Sequence, residues 1–112
     1  MIMCATLGAG GTVGHGLGRA SHVALASVTD GQISSWEELD VGWDRLHDQG
    51  TEGAHHARIV RFLRDHDVEV VVAPHMGPGM QRTLSSMGVR MVLGAQGDAR
   101  RAVTEAAGTV AE

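Results

Sequence analysis

The run Val68–Ala73 (VEVVVA) constrains the fold of this chain more than any other segment. Short runs of β-branched, nearly all apolar residues are typical of central strands that helices cover on both faces of a parallel sheet. A parallel neighbour of such a strand is reached through a crossover connection, which is usually a helix. The sequence therefore predicts an α/β domain with this strand, the fourth along the chain, in the middle of its sheet.

Apolar runs, turn residues and capping residues predict the remaining elements. The other predicted strands are Ile2–Leu7, His22–Thr29, Gln32–Glu37 and Val89–Leu93. The predicted helices are Glu52–His66 with Thr51 as N-cap, Gly79–Met87, and Ala99–Ala107 with Asp98 as cap. Residues Glu38–Gly53 have weak periodicity and several acids, so we interpret them as a long, partly mobile loop.

The order of these elements predicts the sheet. The pair Asp30–Gly31 is a strong two-residue hairpin signal, so the second and third strands are expected to be antiparallel neighbours. The helices before and after the fourth strand are crossover connections, which imply parallel pairing there. With the first strand beside the fourth, the predicted sheet is mixed and five-stranded, with order 3-2-1-4-5 and strand two antiparallel. Helices on its faces give a single three-layer domain over residues 1–112.

The charge balance disfavours several classes of partner. The nine basic residues are all arginines and are scattered, and thirteen acidic residues give a net charge of −4. Nucleic-acid-binding proteins usually have a basic face and aromatic residues for base stacking, and this chain has only one Phe, two Trp and no Tyr. No apolar run approaches the ~18 residues of a membrane span, and the N-terminus resembles a strand rather than a signal peptide. We therefore expect no nucleic-acid or membrane partner.

The cysteine content bears on the cellular location of the protein and on the kind of metal site it could have. A single cysteine, Cys4, excludes an internal disulfide framework and a multi-cysteine zinc site. Its position in the middle of a strand predicts a small buried hydrophobic residue rather than a ligand. These features favour a cytoplasmic protein.

Histidines converge on one edge of the predicted sheet. Ligands of open α/β sheets bind beyond the carboxyl ends of the parallel strands. His15 lies in the glycine-rich loop after the first strand, His75 follows the fourth, and His55 and His56 begin the helix that runs antiparallel to it. Neutral imidazole is a good ligand for iron or zinc. We predict His15 and His75 as metal ligands, assisted by His55 or His56, because adjacent helical residues point about 100° apart.

Other residues near this edge have weaker signals. Met76 could be exposed there and offer a soft thioether, and Gly77 to Gly79 open a helix N-terminus that suits an anion. The acids of the long loop are expected to be solvated, or to form a lid or add oxygen ligands if the loop folds over the histidine edge; they are Glu37, Glu38, Asp40, Asp44 and Asp48. Three further histidines are interpreted as structural or solvated: His22, His47 and His66.

The residues required by common catalytic mechanisms are missing. Two-metal phosphoryl chemistry needs clustered carboxylates, and the first strand (IMCATL) has none. No serine lies in a Gly-x-Ser-x-Gly elbow, and the absence of lysine excludes a Walker-type phosphate loop. We therefore expect a protein that is not an enzyme.

Two motifs resemble those of the dinitrogenase iron–molybdenum cofactor biosynthesis family. The stretch from His15 to Ala20 (HGLGRA) is similar to the family's His-Phe-Gly-Arg-Ala, with one extra residue and no Phe. The stretch from Met76 to Met80 (MGPGM), followed by Leu84 and Gly88-Val89, is similar to its Gly-x-Gly turn, helix and Gly-Ile strand entry. The resemblance covers about residues 2–93. It implies a ribonuclease H-like fold, and members are thought to bind or carry iron–sulfur or iron–molybdenum cluster precursors.

We therefore hypothesise a non-catalytic binding or carrier protein for such a cluster, with a role related to nitrogen fixation. The hypothesis leaves room for a cluster-donor or acceptor protein and, at the exposed edges of strands three and five, for a homodimer. The expected cofactor-binding residues are His15, Gly16, His75, Met76, Gly77 and Gly79, and the expected metal ligands are His15, His75, His55 and His56. The alternatives are a small-molecule or protein-interaction module of the same fold, or a simple divalent-metal binder.

Overall fold

A computed structural model describes residues 1–110. The strands are β1 (Ile2–Leu7), β2 (His22–Thr29), β3 (Gln32–Asp40), β4 (Val70–Ala73) and β5 (Arg90–Leu93). The helices are α1 (Trp43–Leu46), α2 (Glu52–Asp65), α3 (Pro78–Ser86) and α4 (Ala99–Val110). Short 3-10 turns at Ala9–Gly11 and Leu17–Arg19 interrupt the loop between β1 and β2.

The sheet has the predicted order β3-β2-β1-β4-β5. Strand β1 pairs antiparallel with β2 and parallel with β4, and β5 is parallel to β4. The β2–β3 hairpin turns at Asp30 and Gly31, both with positive φ (53° and 76°), as a type I′ turn requires. The predicted mixed α/β fold is therefore confirmed.

Alternating residues of the central strands fill two cores, one on each face of the sheet. On one face, Cys4 and Val71 pack under α2 and α3 with Ile59, Leu63 and Leu84. On the other face, the buried residues pack under α4; they include Met3, Ala5, Val70, Val72, Ala99 and Val103. Because successive strand residues point to opposite faces, this pattern makes the three-layer arrangement.

The interpretation of residues 38–53 as a loop is wrong for two of its segments. Strand β3 continues to Asp40, which pairs with His22 across the hairpin. Helix α1 follows because Trp43 is almost fully buried and packs edge-to-face on Phe62, with ring centroids 5.3 Å apart. Burial of this indole, rather than helix periodicity, fixes the segment.

The predicted caps of two helices are also present. The Thr51 hydroxyl accepts a hydrogen bond from the Ala54 amide (3.0 Å), and the Asp98 carboxylate accepts one from the Arg101 amide (2.9 Å). These contacts satisfy amides that have no partner within the helix, and so fix where α2 and α4 begin. Within residues 1–110, no helix has both the length and the apolar character needed to cross a bilayer.

Candidate functional site

A cavity of about 510 Å³, here called the histidine cavity, lies beyond the carboxyl end of β4. One wall is the glycine turn, defined as residues Gly16–Arg19, and the facing residues follow β4 or lie near the start of α2. Those facing residues are His47, Asp48, Glu52, His55, His75, Met76 and Gly77. A cavity of about 530 Å³ at the opposite edge of the sheet has no histidine, so side-chain chemistry rather than volume distinguishes this site.

A second depression of about 410 Å³, the α3 cavity, adjoins the first and shares five residues with it. It adds His56 from α2, Arg82 from α3, and the residues Pro78 and Gly79 of the α3 N-terminus. The two cavities form a groove that runs from the glycine turn to the start of α3. The predicted turn and histidine segments therefore meet at one edge of the sheet.

His75 lies against the glycine turn with an exposed ring. A Cβ added at Gly16 would lie 2.7 Å from the His75 Nδ1 atom, so this close approach requires glycine. Neither ring nitrogen of His75 hydrogen-bonds to another residue of the described chain, so neither is committed to a partner within the protein. His15 is the chain neighbour of Gly16 and is exposed, although it lines neither cavity. It has φ of 66°, the left-handed region that favours glycine.

His55 is buried and uses both of its ring nitrogens within the protein. Its Nε2 atom is 2.8 Å from the Gly18 carbonyl oxygen, and its Nδ1 atom is 2.7 Å from the Arg58 Nη1 atom. In this arrangement His55 has no free nitrogen for a metal. It therefore shapes the wall of the cavity instead of offering a ligand there.

His56 keeps one nitrogen free of protein partners. Its Nε2 atom lies 3.0 Å from the Thr83 hydroxyl, which itself donates to the Gly79 carbonyl at 3.1 Å. The hydroxyl must then accept from the Nε2–H group, which leaves the Nδ1 lone pair available. Of the two adjacent histidines, His56 is thus the one that could bind a metal.

Met76 lines both cavities but is 93% buried, so the expectation that it is exposed is wrong. Its side chain packs in the core with Met80 and Leu84, and the Gln81 side-chain amide donates to its carbonyl (2.8 Å). Gly77 precedes α3 as its N-cap, and Pro78 occupies the first helical turn. Met76 therefore anchors the turn beside His75.

Charged residues of both signs surround the groove. Asp48 and Glu52 line the histidine cavity, and Asp48 lies 3.0 Å from the Nδ1 atom of His47. Arg19 borders the same cavity, and Arg82 borders the α3 cavity. Of the acidic stretch considered in the sequence, only Asp48 reaches the groove. The other acids lie along β3 or in α1: Glu37, Glu38, Asp40 and Asp44.

The sequence reasoning assigns no site role to four charged or imidazole-bearing lining residues: His47, Glu52, Arg82 and Arg19. His47 was interpreted as structural or solvated, but it is half-buried and its ring centroid lies 6.4 Å from that of His55. No periodic pattern around His47 predicts this position. Arg82 had a usable signal, because a residue three positions after Gly79 lies above it on the same helix face. Arg19 is part of the HGLGRA stretch, but no role was assigned to it.

The residues present do not make a closed metal site. In the part of the chain that the structure describes, no three His, Cys, Asp or Glu side chains come together so as to hold a metal ion. Burial of Cys4 raises the pKa of its thiol to about 12, so the thiolate that binds metals is strongly disfavoured.

Fold and site define a class of protein: a small α/β domain with a histidine-lined groove at the carboxyl edge of its sheet. The sequence model of the family described as "Dinitrogenase iron-molybdenum cofactor" matches residues 1–108, and the chain belongs to that family. The resemblance drawn from the two motifs is thereby confirmed. The name of the family connects it with the iron–molybdenum cofactor of dinitrogenase.

Two solved structures share the fold. The crystal structure of PH0822 matches with a TM-score of 0.75 and 17% identity, over 97% of this chain and 92% of that chain. The NMR structure of TM1290 from Thermotoga, described as a candidate NifB protein of the DUF35 family, matches with a TM-score of 0.66 and 18% identity, over 97% and 87%. At such identities these likenesses show the fold alone. No curated protein matches the sequence.

Proposed function

We propose that this chain is a non-catalytic carrier that binds an iron–sulfur or iron–molybdenum cluster, or a precursor of one, in the groove between the glycine turn and α3. The observation that carries the proposal is the exposed ring of His75, which lies against Gly16 with both nitrogens free of partners within residues 1–110. Membership of the cofactor family supports this choice of cargo.

The available donors are few and spread along the groove. His75 offers a nitrogen at the histidine cavity, and His56 offers Nδ1 at the α3 cavity. His15 adjoins Gly16 in the chain, is exposed, and would add a third imidazole. Gly77 and Gly79 lack side chains and allow a bulky guest to approach the backbone closely, whereas Gly16, also expected to bind the cargo, leaves the space that the His75 ring occupies.

The basic residues on the groove favour an anionic guest. Clusters of iron, sulfide and thiolate carry net negative charge, and Arg19 and Arg82 can donate charge-assisted hydrogen bonds to such a guest. Asp48 and Glu52 oppose this attraction on the other side. Two arginines balanced by two carboxylates predict moderate affinity, which suits a carrier that must release its cargo.

A carrier needs partners that load and unload it. We therefore propose a cluster-donor or acceptor protein as its physiological partner, and a cytoplasmic location, because one reduced thiol and an oxygen-sensitive cargo both suit a reducing compartment. The chain would need no chemistry of its own for this task.

The test is an anaerobic titration of the purified chain with a thiolate-ligated [4Fe–4S] cluster and, in parallel, with isolated iron–molybdenum cofactor. Iron that co-elutes with the protein and a changed visible spectrum are expected. Loss of one ligand in His75→Ala should weaken binding about tenfold, which corresponds to roughly 1.4 kcal/mol.

His66→Ala is the matched control, because His66 is also exposed but follows the last turn of α2, at the opposite end of the helix from its N-terminal histidines. Its binding should equal that of the unaltered chain. The proposal is overturned if no iron co-elutes or if His75→Ala binds as tightly as His66→Ala. Equal or tighter binding of zinc or nickel in a third titration would instead identify a simple divalent-metal binder.

A further inference from the structure

We infer that His55 and Arg58 form a positioning pair, which holds the glycine turn at the mouth of the histidine cavity in one conformation. Both residues lie on α2 three positions apart, so their side chains share a face of the helix. That face lies toward Gly18, and the Gly18 carbonyl is the last group in the series of hydrogen bonds from Arg58 through His55.

The hydrogen bonds that link Arg58, His55 and Gly18 allow only one assignment of donors and acceptors. A guanidinium group has donors only, so the Arg58 Nη1–H group donates to His55 Nδ1 across 2.7 Å. A carbonyl oxygen only accepts, so His55 Nε2–H donates to Gly18 across 2.8 Å. Arg58 thereby fixes the neutral Nε2–H tautomer of His55, and that tautomer is the one that can hold the turn.

Arg58 is itself held in place from a second direction. Its Nη1 atom also lies 3.5 Å from the carbonyl oxygen of Leu46, the last residue of α1. No carboxylate within residues 1–110 forms an ion pair with it, so its partners are this carbonyl and the imidazole. The guanidinium therefore joins α1, α2 and, through His55, the glycine turn.

The glycine turn needs such a restraint. Glycine has more backbone freedom than any other residue type. With Gly16 and Gly18 in it, an unrestrained turn would sample many conformations. Leu17 anchors one point of the turn in the core, and a single internal bond joins the Arg19 amide to the Gly16 carbonyl (3.1 Å). The bond from His55 holds the Gly18–Arg19 peptide, which is the same peptide whose N–H group makes that internal bond. It also fixes the position of Gly16 under the His75 ring.

The consequence for the cargo rests on the proposed function, but the pair itself does not. If the turn is held, His75 and the backbone of Gly16 are preorganised for a guest, and binding does not have to order the turn. His55 would then act on affinity by holding the turn and not as a ligand of the guest.

Two measurements on the purified chain test the pair. Long-range ¹H–¹⁵N NMR spectra should show the Nε2–H tautomer of His55 in the unaltered protein. Hydrogen exchange of the Arg19 amide should become about tenfold faster in His55→Leu, as expected for loss of a buried hydrogen bond. His55→Gln should restore slow exchange, because its carboxamide can donate to Gly18 and accept from Arg58.

Arg58→Leu should release the tautomer, so that both forms of His55 appear in the spectrum. Arg61→Leu is its matched control, because Arg61 is an exposed arginine on the same helix without a side-chain hydrogen bond to the described residues. Its spectrum and exchange should be unchanged. The inference is overturned if His55 shows the Nδ1–H form or an even mixture in the unaltered chain, or if His55→Leu leaves Arg19 exchange unchanged. The tautomer measurement decides even if His55→Leu does not fold.

These outcomes are separable from those of the carrier proposal. If the tautomer and the exchange rates are as expected but no iron binds, the positioning pair is supported and the carrier proposal is rejected. Bound iron with unaltered exchange in His55→Leu would retain the carrier and reject the pair. If both hold, His55→Leu should weaken cluster binding several-fold while His55→Gln does not.

Discussion

The alkaline dependence of folding tests whether Cys4 is available as a ligand. Burial raises the pKa of its thiol from the ordinary value of 9.0 to about 12 in the folded chain. The unfolded chain therefore loses this proton first as the pH rises. The stabilisation that the buried thiol provides is fully present below pH 9 and is lost progressively between pH 9 and pH 12.

The magnitude follows from the two pKa values. Relative to neutral pH, the free energy of unfolding should fall by about 1.4 kcal/mol at pH 10 and about 2.7 kcal/mol at pH 11. Few other side chains titrate between pH 9 and pH 12 in this protein, because it has no lysine and no tyrosine, the side chains that ordinarily do so. Arginine stays protonated throughout, so the thiol dominates the slope.

Urea denaturation, followed by the fluorescence of buried Trp43, would measure this slope at pH 7, 9, 10 and 11 in the presence of a reductant. Cys4→Ala is the reference protein. It loses stability at every pH through the cavity it leaves, but its curve should be flat where that of the unaltered chain falls. Contributions of the α-amino group cancel in the difference. Parallel curves would show that the thiolate is tolerated in the folded state, and would make Cys4 a candidate ligand.

Three further changes follow from the packing. Thr6→Val should raise stability by about 1 kcal/mol, because the Thr6 hydroxyl is fully buried and has no partner within residues 1–110; an unchanged or lower Tm would reveal a partner such as a buried water. Gly14→Ala places its Cβ 2.7 Å from backbone across the loop and should lower the free energy of unfolding by about 1–3 kcal/mol, measured by urea denaturation. Gly16→Ala meets only the exposed His75 ring, so it should weaken cluster binding without this loss of stability. Equal destabilisation by the two would contradict this distinction. Thr51→Ala removes the α2 cap and should cost about 1 kcal/mol; no change in the urea midpoint would argue against the cap.

The sheet was predictable because its signals are local or follow from chirality. Asp30–Gly31 defines a hairpin by its backbone preferences alone, and the Val-rich run before Ala73 defines a central strand by composition. Crossover rules then leave little choice of strand order. Helix α1 was not predictable, because four residues cannot form a stable helix without tertiary contacts, and its contact with Phe62 joins positions 19 residues apart.

The sequence predicts where the site lies but not which of its side chains are free to bind a ligand. The carboxyl-edge rule brings His15, His75 and the start of α2 to one rim, but it does not tell which imidazole nitrogens remain free. That depends on the Gly18 carbonyl for His55 and on the Thr83 hydroxyl for His56, two acceptors far away in sequence. Adjacent histidines of the same helix thus have different roles, and no spacing rule distinguishes them.

The number of free nitrogens limits how a cluster could be held. Iron–sulfur clusters that reside in proteins are usually ligated by four cysteine thiolates, and the one thiol here is buried in the core. His75, His56 and the exposed His15 could replace only some of the ligands on such a guest. The guest would keep exogenous thiolates or ligands from a second protein at its remaining irons. Transfer could then proceed by exchange of one ligand at a time, with the sheet and the glycine turn unchanged, so a rigid groove and a mobile cargo are compatible.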